Sequence, residues 1–154
     1  MNIGKATDNN DRYLSIRTVI ELGEAFQSLE DAVSTHLARF GLSWPKFRAL
    51  VELHMAGDRG LNQSDLGKKL KVSRANVTGL IERMEKDGLV IRNDDPSDKR
   101  AFRVSLTERS ERLINSFLPI HNQFIHSLVS VLEKDEKETL ISLLQKLKKG
   151  IDET

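Results

Sequence analysis

The side chains best suited to chemistry are cations set beside amides and hydroxyls, in two places. The first is "KVSRANVTGLIERMEK", where Ser73 precedes Arg74, Asn76 and Thr78, and Arg83 follows. An arginine fork fits the O6 and N7 acceptors of guanine, and an asparagine amide fits the N6/N7 edge of adenine. A serine at a helix start can serve as a cap and meet a phosphate as well. The second place is "NDDPSDKRAFRV", where three aspartates and a proline stand before Lys99, Arg100 and Arg103. Its centre, "DDPSDKR", is expected to be a seven-residue polar loop. A solvated hairpin tip would need no partner; a cationic finger beside a reading helix would need a polyanion.

Bond-making chemistry has no comparable signal. There is no phosphate loop, no nucleophile elbow and no acid/base pair anchored in a motif, so no catalytic residue and no cofactor is expected. The chain has no cysteine, which removes disulfides and thiolate metal sites. Of the four histidines, His121 and His126 are five apart and miss the i, i+4 spacing that ligands on one helical face prefer. A distant site built from His36 or His54 with carboxylates stays open, but satisfied or surface histidines are the simpler reading, so no metal is expected.

The elements that must position these residues follow from periodicity and punctuation. After a polar stretch of about ten residues, read as a tail, Ile16, Val19, Ile20, Phe26, Leu29, Val33, Leu37 and Phe40 recur at helical spacing, with Gly23 marking a bend. Gly41 stops that run, and Ser43 is placed to cap a helix with Trp44 and Pro45 in its first turn. Asn62 then caps a short helix ending near Leu70, and Ser73 caps a longer one to Asp87, closed by Gly88 with Leu89 packing back on Met84. Leu66, Leu70, Val72, Val77, Leu80, Ile81 and Met84 line their inner faces, with Gly67 at the crossing, which describes a helix-turn-helix. An ordinary helical hairpin in a core is the bland alternative.

"LVIRN" and "AFRVSL" are short apolar runs, the second alternating as a half-buried strand does, so a β-hairpin follows directly. A helix-turn-helix followed by a hairpin is a winged helix. Thr107 is placed to cap a long helix through Leu113, Phe117, Ile120, Phe124 and Leu128, which Pro119 should kink, and Asp135 with Glu138 resembles a capping box opening a last helix. The terminal helices carry more apolar surface than so small a domain can cover alone.

With 154 residues, one domain or one domain with an oligomerisation segment is expected. Net charge is +1, but its distribution is uneven: residues 1–58 hold 6 basic and 8 acidic side chains, residues 59–112 hold 13 and 9, and residues 113–154 hold 5 and 6. The excess of cations thus falls on the winged-helix segment, which favours DNA over the second reading, a protein-interaction module. No signal peptide or membrane-length apolar run is present, so no membrane partner and a cytoplasmic location are expected.

The order "LSWPKFRAL", "LNQSDLGKKLKVSRANVTGLIERMEKDGLV", "DDPSDKRAFRVSLT", between long terminal helices, resembles the MarR family of winged-helix transcription regulators from about Asp11 to Ile151. Its most specific piece is Asp98-x-Arg100 followed by Val104, Ser105, Leu106 and Thr107. The resemblance implies a mainly α fold with a small β-hairpin wing. Residues 11–42 and 107–154 would supply dimerisation helices around a DNA-binding lobe at 43–106, with 1–10 a flexible tail. It also implies a homodimer on a pseudo-palindromic operator of double-stranded DNA, a repressor released by a small, often aromatic, ligand. Arg100 would enter the minor groove with Asp98 orienting its guanidinium, while Lys99 and Arg103 touch phosphates. His36, Phe40, Trp44 and Arg48, at the junction of the first two helices, would form an effector site with an aromatic wall and one cation. Gly79 departs from relatives that carry a longer side chain there; it permits close approach but gives up a base contact.

Overall fold

The computed structural model describes residues 3–95 and 98–153, with backbone alone for residues 3–8 and 98–101. The helices are α1 (Ile3–Ala38), α2 (Trp44–Ala56), α3 (Gln63–Leu70), α4 (Arg74–Lys86), α5 (Glu108–Leu128) and α6 (Lys134–Asp152). A 3-10 turn at Gly57–Arg59 leads into strand β1 (Leu61–Asn62), which joins β2 (Val90–Asp95) and β3 (Asp98–Leu106) in an antiparallel sheet of order β1-β3-β2. The mainly helical winged helix-turn-helix expected from the sequence is therefore present, with β1 as a third strand that the sequence reading missed.

The chain gathers into two compact units, one reaching to Ile114 and one starting at Asn115. In the first, Leu50 and Leu53 of α2, Leu66 of α3, Val77 and Ile81 of α4 and Val104 of β3 are all buried. Burying each such side chain is worth roughly 1.5–3 kcal/mol, and helical spacing places Val77, Leu80, Ile81 and Met84 on one side of α4. The local signals that frame α4 act as expected. Asn62 accepts from the Asp65 amide at 2.8 Å, and Ser73 Oγ accepts from the Asn76 amide at 3.3 Å. The connection turns at Lys71, which sits in the left-handed region at φ 56°. At the far end Gly88 has φ 67° and the Leu89 amide donates back to the Met84 carbonyl at 2.8 Å, the closure predicted for this helix. A Cβ on Gly67 would touch Val77 at 3.4 Å, so this glycine does mark the close crossing of α3 and α4.

Several expectations are corrected. The stretch read as a tail is helical from Ile3 on, because nothing between it and Tyr13 breaks a helix already nucleated downstream, and extension adds a hydrogen bond per residue fixed. Gly23 does not interrupt α1. Ser43 occupies the cap position of α2 but makes no side-chain cap bond. The seven-residue loop is shorter than expected: β2 continues to Asp95 and β3 begins at Asp98, with a register shift between Asp94 and Asp95. Ladder hydrogen bonds there outweigh the polar composition that suggested a loop. The capping box of α6 lies two residues earlier than read, Glu133 with Glu136, the Glu133 amide donating to Glu136 Oε2 at 2.8 Å. Thr107 does cap α5, accepting from the Ser110 amide at 3.2 Å, and Pro119 lies inside α5 without ending it.

Candidate nucleic-acid interface

With its apolar side in the core, α4 turns Ser73, Arg74, Ala75 and Asn76 outward, all exposed at the N-terminal end of the helix. Four donors of the first turn point the same way in any α-helix, and the end carries partial positive charge. Arg74 and Asn76 thus stand where a fork and an amide could meet base edges. Arg83, Lys86 and the carboxylates Glu82 and Glu85 are exposed farther along. The Arg83 guanidinium lies over Gly79, close enough that a Cβ there would be 3.3 Å from Nη1. The missing side chain at 79 therefore gives room to an arginine from the next turn.

Thr78 is placed differently from its neighbours. Its hydroxyl donates to the Arg74 carbonyl at 2.8 Å, and its oxygen accepts from Gln63 Nε2 at the start of α3. A hydroxyl has one proton, so Thr78 has no donor left for a base or a phosphate. Its role here is to tie α4 to the first residue of α3.

The wing root is described on both faces. On one, Arg92 lies 4.8 Å over the Phe102 ring and 3.5 Å from Glu85 of α4, which couples strand to helix. On the other, Arg103, expected at a phosphate, is engaged inside the unit. Its Nε donates to Asp95 Oδ2 at 2.9 Å, and Nη1 donates to the carbonyls of Arg59 at 3.1 Å and Gly60 at 3.4 Å. The backbone of Asp98, Lys99 and Arg100 belongs to β3, whereas their side chains lie outside the described residues.

The expected effector residues fall at the end of α1, in the turn after it and in the first turns of α2. His36 is buried and its ring pairs with Phe40 at 5.4 Å. Burial, and then the charge of Arg39, hold the His36 imidazole below its usual range. Trp44 is 48% exposed and leans on Phe47 at 5.8 Å. Arg48, read as the cation for a ligand, donates to the carbonyls of Leu70 at 3.1 Å and Lys69 at 3.2 Å, closing the C-terminal end of α3. His54 Nδ1 lies 3.0 Å from Glu111 Oε2, joining α2 to the start of α5. Among the described residues no cluster of three or more histidines and carboxylates could hold a metal ion, and no helix is long and apolar enough to cross a membrane.

Comparison with known proteins supplies the context for this lobe. A model of the MarR family matches residues 42–102. The HTH-type transcriptional regulator YkoM of Bacillus subtilis is 32% identical over 122 residues, which is 79% of this chain and 78% of YkoM. The chain belongs to the MarR family. Another relative, the HTH-type transcriptional regulator MhqR of B. subtilis, is 29% identical over 86% of this chain and 90% of its own length. Among solved structures, the organohalide-sensing regulator RdhR-CbdbA1625 in its 2,4-dichlorophenol-bound form superposes with a TM-score of 0.76 at 28% identity, covering 89% of this chain and 80% of the other. The lobe of α3, α4 and the β2–β3 hairpin is thus a MarR-family winged helix, and its chemistry is DNA-binding transcription regulation.

Proposed function

We propose that this MarR-family regulator works as a homodimeric repressor on a pseudo-palindromic operator and that a small aromatic ligand releases it. The observation that carries this reading is the N-terminal half of α4, where Arg74 and Asn76 are exposed while Val77, Leu80, Ile81 and Met84 are buried. Each subunit would place that half in a major groove and the wing in the neighbouring minor groove, with half-sites about 10 base pairs apart. Arg74, Asn76, Arg83 and Ser73 are the proposed contacts from α4, and Lys99 and Arg100, with Asp98 orienting the latter, those from the wing.

Support for the dimer comes from unpartnered apolar surface. On α1, Val19 is 70% and Phe26 63% exposed, and α6 buries none of Leu143, Leu144, Leu147 and Ile151. Apolar stripes of that length face water only at a cost of about 25 cal/mol for each Å². Support for the ligand comes from the dichlorophenol-bound relative. His36, Phe40 and Trp44 remain the proposed aromatic lining, without Arg48, which is tied to the end of α3.

Selection of bound fragments from a random DNA pool tests the reading. Enrichment of an inverted repeat, with affinity falling steeply as salt rises because phosphate contacts release counterions, is the expected result. Arg100→Ala should weaken binding well beyond Lys134→Ala, which removes an exposed charge from α6. A pool with no enrichment at physiological salt would instead favour an interaction module that binds protein.

A further inference from the structure

The wing carries a cation whose surroundings contradict the role its charge suggests. Arg103 sits in the central strand, opposite Asn93 on β2 and Asn62 on β1. Side chains alternate along a strand, so Asp95, two residues beyond Asn93, projects on the face that Arg103 shares. The pairing then jumps: Asp94 faces Phe102 while Asp95 faces Asp98, leaving residues 99–101 outside the regular ladder. Asp95 is therefore the first residue past the change of register, and it is only 6% exposed. A carboxylate so withdrawn from water needs a cation and hydrogen bonds of good geometry.

Arg103 supplies both. It bonds Asp95 through Nε, while Nη1 reaches across to the carbonyls of Arg59 and Gly60, just before β1. A guanidinium is planar, so these contacts fix the mutual placement of three segments, which a flexible ammonium would not do. The approach is close: Gly60 has φ +57°, and a Cβ there would collide with the Val104 carbonyl.

We infer that Arg103 is a positioning residue: with Asp95 it latches the wing root to the turn before β1, and it does not bind phosphate. The inference rests on the proposed operator binding for its functional consequence. The latch holds the root from which Lys99 and Arg100 extend, so wing contacts inherit its geometry.

The two roles predict opposite signs for Asp95→Asn. If Arg103 met a phosphate, removing the anion that holds it would free the cation, and operator binding would tighten. The latch predicts that binding weakens, roughly tenfold or more, because a charged Arg103 loses its buried partner. Arg103→Lys separates the roles a second time. It keeps the charge and would stay near the parent at a phosphate, but it cannot span Asp95 and both carbonyls, so the latch predicts a loss close to that of Arg103→Ala. Adding Asp95→Asn to Arg103→Ala should then cost little more, the non-additivity of two partners in one contact.

Affinity for the selected operator is read by fluorescence anisotropy, and amide hydrogen exchange is followed in the same variants without DNA. The expected result is weaker binding with faster exchange in β2 and β3 while α4 keeps its protection. Tighter binding by Asp95→Asn, parent-like binding by Arg103→Lys, or unchanged exchange in β2 and β3 would each overturn the latch. If the parent enriches no DNA, the operator reading fails, and exchange still decides the latch by itself.

Discussion

Arg74 and Asn76 carry the proposed reading of sequence, so their replacement should change preference as well as affinity. Each alanine substitution is expected to cost about 1–3 kcal/mol on the selected operator and to relax selection at a single base pair, which repeat selection with the variants would show. Lys86→Ala, farther along α4, should weaken all sequences alike if it meets only the backbone. These residues were legible because one buried position, Val77, fixes which side of a helix faces out. Arg48 and Arg103 were not. Their partners lie 22 and 8 residues away, and only the packing of α2 on α3, or the strand register, brings them together. Charge alone marked both as ligand contacts, whereas each donates to carbonyl groups of its own unit.

Two glycines show how elements constrain each other. Gly60→Ala must strain a left-handed backbone and push against β3, so a loss of roughly 2–4 kcal/mol is expected in denaturant titration. Gly79→Ala meets only the tip of an exposed arginine. The helix should gain up to about 1 kcal/mol in propensity, seen as a raised melting temperature. Another tie joins α2 to the end of α4: Lys46 Nζ lies 2.6 Å from Asp87 Oδ2. The hydrogen bond from Lys46, ahead of the opposing effect of desolvation, holds the Asp87 carboxyl below its ordinary 3.8. A folded value below the unfolded one means stability that is present above pH 3.8 and is lost as pH falls through the folded value. Melting curves of Lys46→Met and the parent should therefore differ near neutrality and converge in acid; a constant gap would contradict the tie.

Helix caps and the hairpin were readable in advance, since Asn62, Ser73, Gly88 and Thr107 act locally. Strand β1 escaped notice because two residues give no period; its pairing with Val104 and Arg103 comes from the fold. The capping box of α6 was misplaced by two residues for a related reason: "EKDEKE" offers more than one acidic pair at the right spacing, and only the backbone chooses.

At the scale of the whole molecule, the apolar stripes of α1 and α6 set the expectation of a twofold particle. Leu143→Glu places a charge in the α6 stripe, where Leu143 is already 58% exposed in the single chain. The variant should keep its helical content yet sediment near the 17.5 kDa of one chain rather than twice that, and it should lose operator affinity by more than any single contact residue. A variant that sediments like the parent would argue for a different interface. Trp44 has a practical use of its own. It is the sole indole in the sequence, it stands at the first turn of α2, and it is half in water against Phe47. Its emission colour and quenching by iodide therefore report on one known spot, without any attached dye, as phenols are titrated in.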